Sequence, residues 1–163
     1  MPAFPDKDLE ALLLLSRTPG IRMRGIASFF EQGVSPAEIL ERLQSGGVAN
    51  WKESLHATQK IFSPEKERDK AERLGIQILP FNHLHYPSLL RESSDPPLVL
   101  YVKGGLEDSD QASVALVGSR HPSVYGLEQA RRFAERLAGW GLTIVSGFAR
   151  GIDRTSHEGA LEI

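Results

Sequence analysis

Up to residue 75 the apolar positions come in short helical clusters: Leu9, Leu12 and Leu13 before a Thr18-Pro19-Gly20-Ile21 turn, then Ile26, Phe29 and Phe30. Spacings of three and four residues put such side chains on one helix face. Ser35-Pro36-Ala37-Glu38 has the form of a capping box with proline at the first helical position, and Gly46-Gly47 closes the helix it opens. Ser63-Pro64 opens a highly charged helix that runs through Leu74 and stops at Gly75. Its mixed signs are those of a solvated face. Residues 1–75 therefore predict a module of small amphipathic helices packed on one another.

After Gly75 the pattern shifts. Ile76–Leu79 and Leu98–Val102 read as strands, separated by a proline-bearing connection from Pro80 to Pro97 that holds His83 and His85. Gly104-Gly105 and the acidic Glu107, Asp108 and Asp110 make a polar turn. Ser113–Val117 is then a short apolar run ending in Gly118-Ser119-Arg120, as a buried parallel strand ends in a phosphate-sized loop. Leu127–Trp140 follows with helical spacing, Ala130, Phe133, Ala134, Leu137 and Ala138 on one face and mostly charged residues on the other, stopped by Gly139 and Gly141. A second run, Leu142–Val145, leads into Ser146-Gly147-Phe148-Ala149-Arg150-Gly151-Ile152-Asp153 and a further helix carrying His157, with Asp153 placed to be its N-cap.

This succession predicts a right-handed strand-helix-strand unit, so the loops after Val117 and Val145 leave the same carboxyl edge of a parallel sheet. Both are rich in small residues, Gly118, Ser119, Ser123 and Gly126 in one and Ser146, Gly147 and Gly151 in the other, which lets backbone N–H groups approach an anion. Arg120 and Arg150 add forked donors suited to phosphate oxygens. The plainer alternatives stay open: glycines that only turn the chain, and arginines that are solvated or paired with a carboxylate. Ser119 and Ser146 either donate hydroxyls to phosphate or cap the following turn. Asp153 and His157 lie one helical turn apart and form either a structural pair or an acid-base pair, the structural one preferred because no nucleophile accompanies them.

Composition narrows the classes. The chain has 163 residues, 40% hydrophobic and 25% charged, enough for one domain or two small ones. It has no cysteine, which excludes disulfides, thiolate zinc sites and cysteine nucleophiles. His83 and His85 lack a third ligand at metal-site spacing, so no metal is expected. The Leu12–Leu15 run is too short for a membrane span or signal core, and a cytoplasmic location is expected. A net charge of −2 argues against binding nucleic acid over the whole surface. Residues 1–112 carry 13 basic and 16 acidic side chains and residues 113–163 carry 6 and 5, a slight local shift toward basic where the loops lie.

The blocks VALVGSR with SVYG behind it, SGFARGID and SHEGAL, preceded by Tyr86-Pro87-Ser88-Leu89-Leu90 and by Asp95-Pro96-Pro97-Leu98 through Gly104, resemble the signature of the DNA-processing protein A family (DprA, also called Smf). The resemblance runs from about Tyr86 to the last residue. It implies a modified Rossmann domain that binds single-stranded DNA without sequence preference, protects incoming DNA, and helps load the RecA recombinase during natural transformation and recombination. It implies no cofactor and no catalytic residue. Gly118, Ser119, Arg120, Ser146, Gly147, Arg150 and Gly151 are then the expected DNA phosphate contacts. Tyr125 or Phe148 stacks on a base; Phe148 serves core packing equally well, and Tyr125, read as a loop residue, is the better candidate.

The fold class expected is α/β: a helical module of the SAM or helix-hairpin-helix kind over 1–75, followed over 76–163 by the first part of a Rossmann-like parallel sheet. Because the chain stops at Glu162-Ile163 within the second helix of the unit, that sheet is expected to be incomplete. The family's surfaces for self-dimerisation and for RecA are assigned to the later part of the fold, so homodimerisation belongs to full-length members and this chain is not expected to load RecA alone. The Pro19-Gly20-Ile21 turn is similar to the hairpin of helix-hairpin-helix modules, with Arg22 where a second glycine is usual. Arg22 and Arg24 then either touch a backbone phosphate or belong to a module with a structural or partner-docking role. The rival of another class is a nucleotide-binding enzyme of the lysine-decarboxylase-like, cytokinin-activating phosphoribohydrolase kind. SGFARGID fits the DNA-processing pattern better, and neither strand is followed by a GxGxxG loop.

Overall fold

The computed structural model describes residues 5–46, 51–107, 110 and 112–163. Gly47 of the expected helix stop and Asp108 of the expected acidic turn lie outside the described residues. The chain divides into two compact units, Met1–Gly105 and Leu106–Ile163.

The first unit is built around α1 (Asp6–Arg17), in which Leu12, Leu13, Leu14 and Leu15 are all buried. Four consecutive buried leucines cannot lie on a single helix face, so α1 is enclosed rather than laid on a surface. It packs against α3 (Pro36–Gln44), α4 (Trp51–Ile61), α5 (Pro64–Arg73) and β2 (Val99–Lys103). α2 (Met23–Glu31) adds Met23 and Ile26 to the same core. Two caps read from the sequence are present: the Ser35 hydroxyl oxygen accepts the Glu38 N–H at 3.2 Å, and that of Ser63 accepts the Lys66 N–H at 3.3 Å. α4 was not anticipated. Its buried positions are only Leu55 and Thr58, with Trp51 packed at the core edge, too sparse a pattern to announce a helix.

β1 (Ile76–Pro80) pairs with β2 in antiparallel register, Ile76 opposite Lys103 and Pro80 opposite Val99. Leu98 and Val99 enter the helical core, and Ile78 and Phe81 pack on it. The compact units consequently divide at Gly105–Leu106 and not at 75–76: these strands satisfy their ladder bonds with each other and bury their apolar side on the helices. The connection between them contains a short helix, α6 (Ser88–Arg91), also unanticipated. Tyr86, buried, donates its hydroxyl to the Pro97 carbonyl at 2.9 Å. Arg91 lies over the Phe81 and Tyr86 rings and donates to the His83 carbonyl at 2.7 Å. The His83 Nδ1 accepts the His85 N–H, so this pair serves the local turn.

The second unit consists of β3 (Ser113–Ala115), α7 (Val124–Gly139), β4 (Thr143–Val145) and α8 (Ile152–Ala160). β3 and β4 are parallel, Ser113 opposite Thr143 and Ala115 opposite Val145. The unit is the strand-helix-strand-helix α/β arrangement expected, with shorter strands. α7 begins earlier than its apolar spacing indicated, because Ser123 caps it by accepting the Gly126 N–H at 3.1 Å. Of its expected apolar face, Ala130 and Ala134 are buried, whereas Phe133 is 57% exposed and lines a groove with Leu116, Val117 and Ile152. Among the described residues no helix is long and apolar enough to cross a membrane.

α7 and α8 cross at Gly159, where a Cβ would stand 2.7 Å from the Arg131 carbonyl oxygen and 3.3 Å from the Ala134 Cβ. Arg131 closes the crossing by pairing with Glu158 and Glu162. Gly159→Ala is expected to destabilise this unit by about 1–3 kcal/mol through overpacking. Gly139→Ala, with nothing within 4 Å of its Cβ, is expected to be neutral or stabilising. Thermal unfolding of the two variants checks both, and equal midpoints would exclude the tight crossing.

Candidate nucleic-acid interface

The loops that follow β3 and β4 meet at one edge of the parallel pair. The strand ladder continues past its last residue, with the Leu116 N–H donated to the Val145 carbonyl at 2.9 Å and the Ser146 hydroxyl to the Leu116 carbonyl at 2.5 Å. Beyond it the loops touch backbone to backbone. The Ile152 N–H donates to the Ser119 carbonyl at 3.2 Å, and the Ile152 side chain covers Gly118. Gly151, at φ +86°, has no room for a side chain, since a Cβ there would collide with the Ser119 carbonyl oxygen and stand 3.0 Å from the Arg120 backbone. Glycine thus meets two needs, the left-handed backbone and the close approach.

All the candidate phosphate contacts are brought together here. Gly118, Ser119, Arg120, Gly147 and Arg150 are exposed, and Ser146 and Gly151 are half-buried. The backbone N–H groups of Gly118, Ser119, Arg120, Gly147, Phe148, Arg150 and Gly151 find no acceptor among the described residues. Neither Arg120 nor Arg150 has a carboxylate partner among the described residues, whereas Arg131 and Arg154 are paired with glutamates. Arg132 and Arg136 are also unpaired but lie farther along α7. The serines divide. Ser119 accepts the His121 N–H at 3.0 Å and keeps its own hydroxyl proton to donate, while Ser146 has spent its proton on Leu116. Two runs of free amides with two unpaired guanidiniums form a pocket edge chemically suited to anionic oxygens.

Asp153 is not the N-cap of α8. Gly151 holds that position, and the buried Asp153 sits in the first turn, its carboxylate accepting the Ala149 N–H at 3.3 Å. Nor does it bond to His157. The His157 ring instead faces the Phe148 ring, centroids 5.6 Å apart, and its Nε2 is buried with no partner among the described residues. The Asp-His pairing expected from their spacing fails because the shorter route for the carboxylate is back to its own loop. Tyr125, read as a loop residue, lies in the first turn of α7 and is 70% exposed. Phe148 is 88% exposed, so it is not a core residue.

The hairpin of the first unit is arranged differently. Gly20 takes φ +86° in the turn, as a hairpin requires, but the start of α2 is occupied from within the chain. Asp95 accepts the Arg24 N–H at 3.3 Å and pairs with the Arg22 guanidinium at 3.2 Å. Some desolvation pushes the Asp95 carboxyl up, but the bonds from Arg22 and the Arg24 amide outweigh it and hold it below its ordinary value. Arg17 is likewise paired with Glu67, which also accepts the Tyr101 hydroxyl at 3.0 Å. Both arginines beside the adjoining groove of about 530 Å³ are therefore neutralised by carboxylates, unlike those of the second unit.

A short parallel βαβ pair with two loops docked at its carboxyl edge defines a Rossmann-like α/β unit. Residues 77–163 match the sequence family described as DNA recombination-mediator protein A, and the chain belongs to that family. It is 42% identical over 115 residues to Protein Smf of Escherichia coli (strain K12), covering 68% of this chain and 31% of that protein. With the DNA processing protein DprA of Bacillus subtilis (strain 168) it shares 35% identity over 89 residues, 54% of this chain and 30% of that one. The chain spans about a third of the length of these curated relatives. The X-ray structure of DNA processing protein A from Streptococcus pneumoniae superposes with a TM-score of 0.69 at 22% identity, over 98% of this chain and 54% of that one, a likeness of fold.

Gly151→Ala is expected to undock the two loops and lower the thermal midpoint of the second unit, while the neighbouring Arg150→Ala leaves it unchanged; calorimetry on both variants is the check. For Asp95, a carboxyl depressed in the folded state contributes stability above its unfolded pKa, near 3.8, that is lost as pH falls through the lower folded value. Asp95→Asn is expected to flatten that acid-side loss in urea unfolding between pH 2 and 5, and an unaltered profile would exclude the cap.

Proposed function

We propose that the chain binds single-stranded DNA through its backbone phosphates, using the Arg120 and Arg150 loops as one cradle, without sequence preference and without chemical turnover. The observation that carries this reading is the convergence of two amide runs and two unpaired guanidiniums on one docked loop pair. Phosphate is the repeating anion of a nucleic-acid strand and carries no sequence information, so a site made of amides and guanidiniums binds strands alike. Gly118, Ser119, Arg120, Gly147, Arg150 and Gly151 supply the contacts. Ser146 contributes through its backbone amide, its hydroxyl serving to hold the loop.

Membership in a family described as recombination mediators supports placing this activity in DNA processing, that is, protection of incoming single strands and delivery to the RecA recombinase in transformation and recombination. A cytoplasmic location and a homodimeric full-length relative belong to the same proposal. So does a modular division of labour in which the helices contribute little to the DNA contact, since Asp95 and Glu67 neutralise the arginines there. A binding role also agrees with Asp153 being bonded to the Ala149 amide and having no hydrogen bond to His157, so that the two do not form an acid-base pair.

Fluorescence anisotropy of a labelled oligo-dT, titrated over salt, tests the cradle. Log K is expected to fall with log salt by about 0.7 per phosphate contacted, and Arg120→Ala is expected to shallow that slope by roughly one contact. Absence of binding at low salt by the folded chain, together with saturable binding of a nucleoside monophosphate, would replace this reading with the nucleotide-binding enzyme.

A further inference from the structure

Phe148 stands out in the second unit. Its ring is 88% exposed, more than Tyr125 at 70% or Phe133 at 57%. Its backbone is held at φ +55°, the left-handed region that a bulky side chain rarely enters, and it is the non-glycine residue with positive φ among the described residues. Neither feature favours the fold: exposure forgoes the gain of burying a phenyl ring, and the dihedral is a strained one. Both follow from where the residue sits. Phe148 lies between Gly147 and Arg150, inside the docked loop, and turning it inward would move the amides on either side of it.

The ring is also supported. His157 projects from α8 behind it, ring centroids 5.6 Å apart and planes inclined at 55°, with the histidine Nε2 buried and without a hydrogen-bond partner among the described residues. The phenyl thus has one aromatic neighbour and is otherwise open to solvent. Among the described residues no aromatic ring stands beside Tyr125, which projects from the first turn of α7.

We propose that Phe148 is the base platform of the site, stacking the unpaired base attached to the phosphate that the Arg120 and Arg150 loops hold, with His157 bracing the ring. This rests on the cradle reading above and adds to it a source of discrimination. Amides and guanidiniums donate to the phosphates of a duplex as readily as to those of a single strand, but only an unpaired, unstacked base offers a free face to a phenyl ring. Every base has such a face, so the selection is for strandedness and not for sequence.

The test compares oligo-dT with an abasic oligodeoxynucleotide of equal length, which keeps the phosphates and lacks the bases, for the native chain, Phe148→Ala, Phe148→Gly, Phe148→Trp and Tyr125→Ala. Phe148→Gly removes the ring while relieving the dihedral, so a loop defect cannot imitate loss of stacking. The native chain is expected to prefer oligo-dT. Phe148→Ala and Phe148→Gly are expected to weaken oligo-dT binding about 5- to 150-fold, to leave the abasic strand and the salt slope unchanged, and so to erase the preference; Phe148→Trp keeps it. Equal native affinity for the two strands, an equal loss on both with either Phe148 variant, or loss of the preference only with Tyr125→Ala would each overturn the platform while leaving the phosphate cradle intact. Binding of neither strand would remove the cradle and the platform together.

Discussion

The second unit depends on the contact between Gly151 and the backbone of Ser119 and Arg120. Strands of only three residues each cannot orient long loops through their own ladder, and here the ladder is carried outward by Leu116, Ser146 and Ile152 until the loops rest on each other. The close approach makes the positions of Arg120 and Arg150 one variable instead of two. It also keeps both sets of free amides on loops that touch each other, which separate flexible loops would not do. The cost of fixing the loops is met by the fold itself, which is the preorganisation that the proposed phosphate cradle requires.

The first unit shows what an arginine-bearing turn becomes when it is satisfied internally. Arg17 and Arg22 have carboxylate partners, and the amide of Arg24 is taken by Asp95. The same residue types that form an open edge in one unit serve in the other to tie the 95–101 segment to the helices. Residue type alone does not distinguish the two uses; the presence of a carboxylate within reach does.

Much of the second unit was legible because its signals are local. A strand run ending in Gly-Ser-Arg, a helical stripe, and a second run ending in Ser-Gly fix a βαβ unit and place both loops at one edge before any coordinate is known. Ser35 and Ser63 were legible as caps for the same reason. The misreadings arose where a long-range partner decided. β1 and β2 read correctly as strands, but their antiparallel pairing and burial on the helices depend on each other and on α1, so the boundary fell later than composition indicated. Asp153 had the right type and position for a cap until Ala149 competed for it, and Phe148 was left between core packing and an exposed role because an exposed phenyl is costly unless a loop dictates its direction. α4 gave no signal because its neighbours bury so little of it.

The enclosed position of α1 has a consequence for the order in which the chain matures. Leu12 to Leu15 leave the ribosome before the groups that cover them, which extend to Leu55 on α4 and to Leu98 and Val99 at the start of β2. Until that later stretch has been synthesised, the most hydrophobic segment of the unit lacks its native cover, and a nascent chain in this state is a natural substrate for chaperones. α1 is made before its cover is complete, so the unit matures as a whole and not helix by helix.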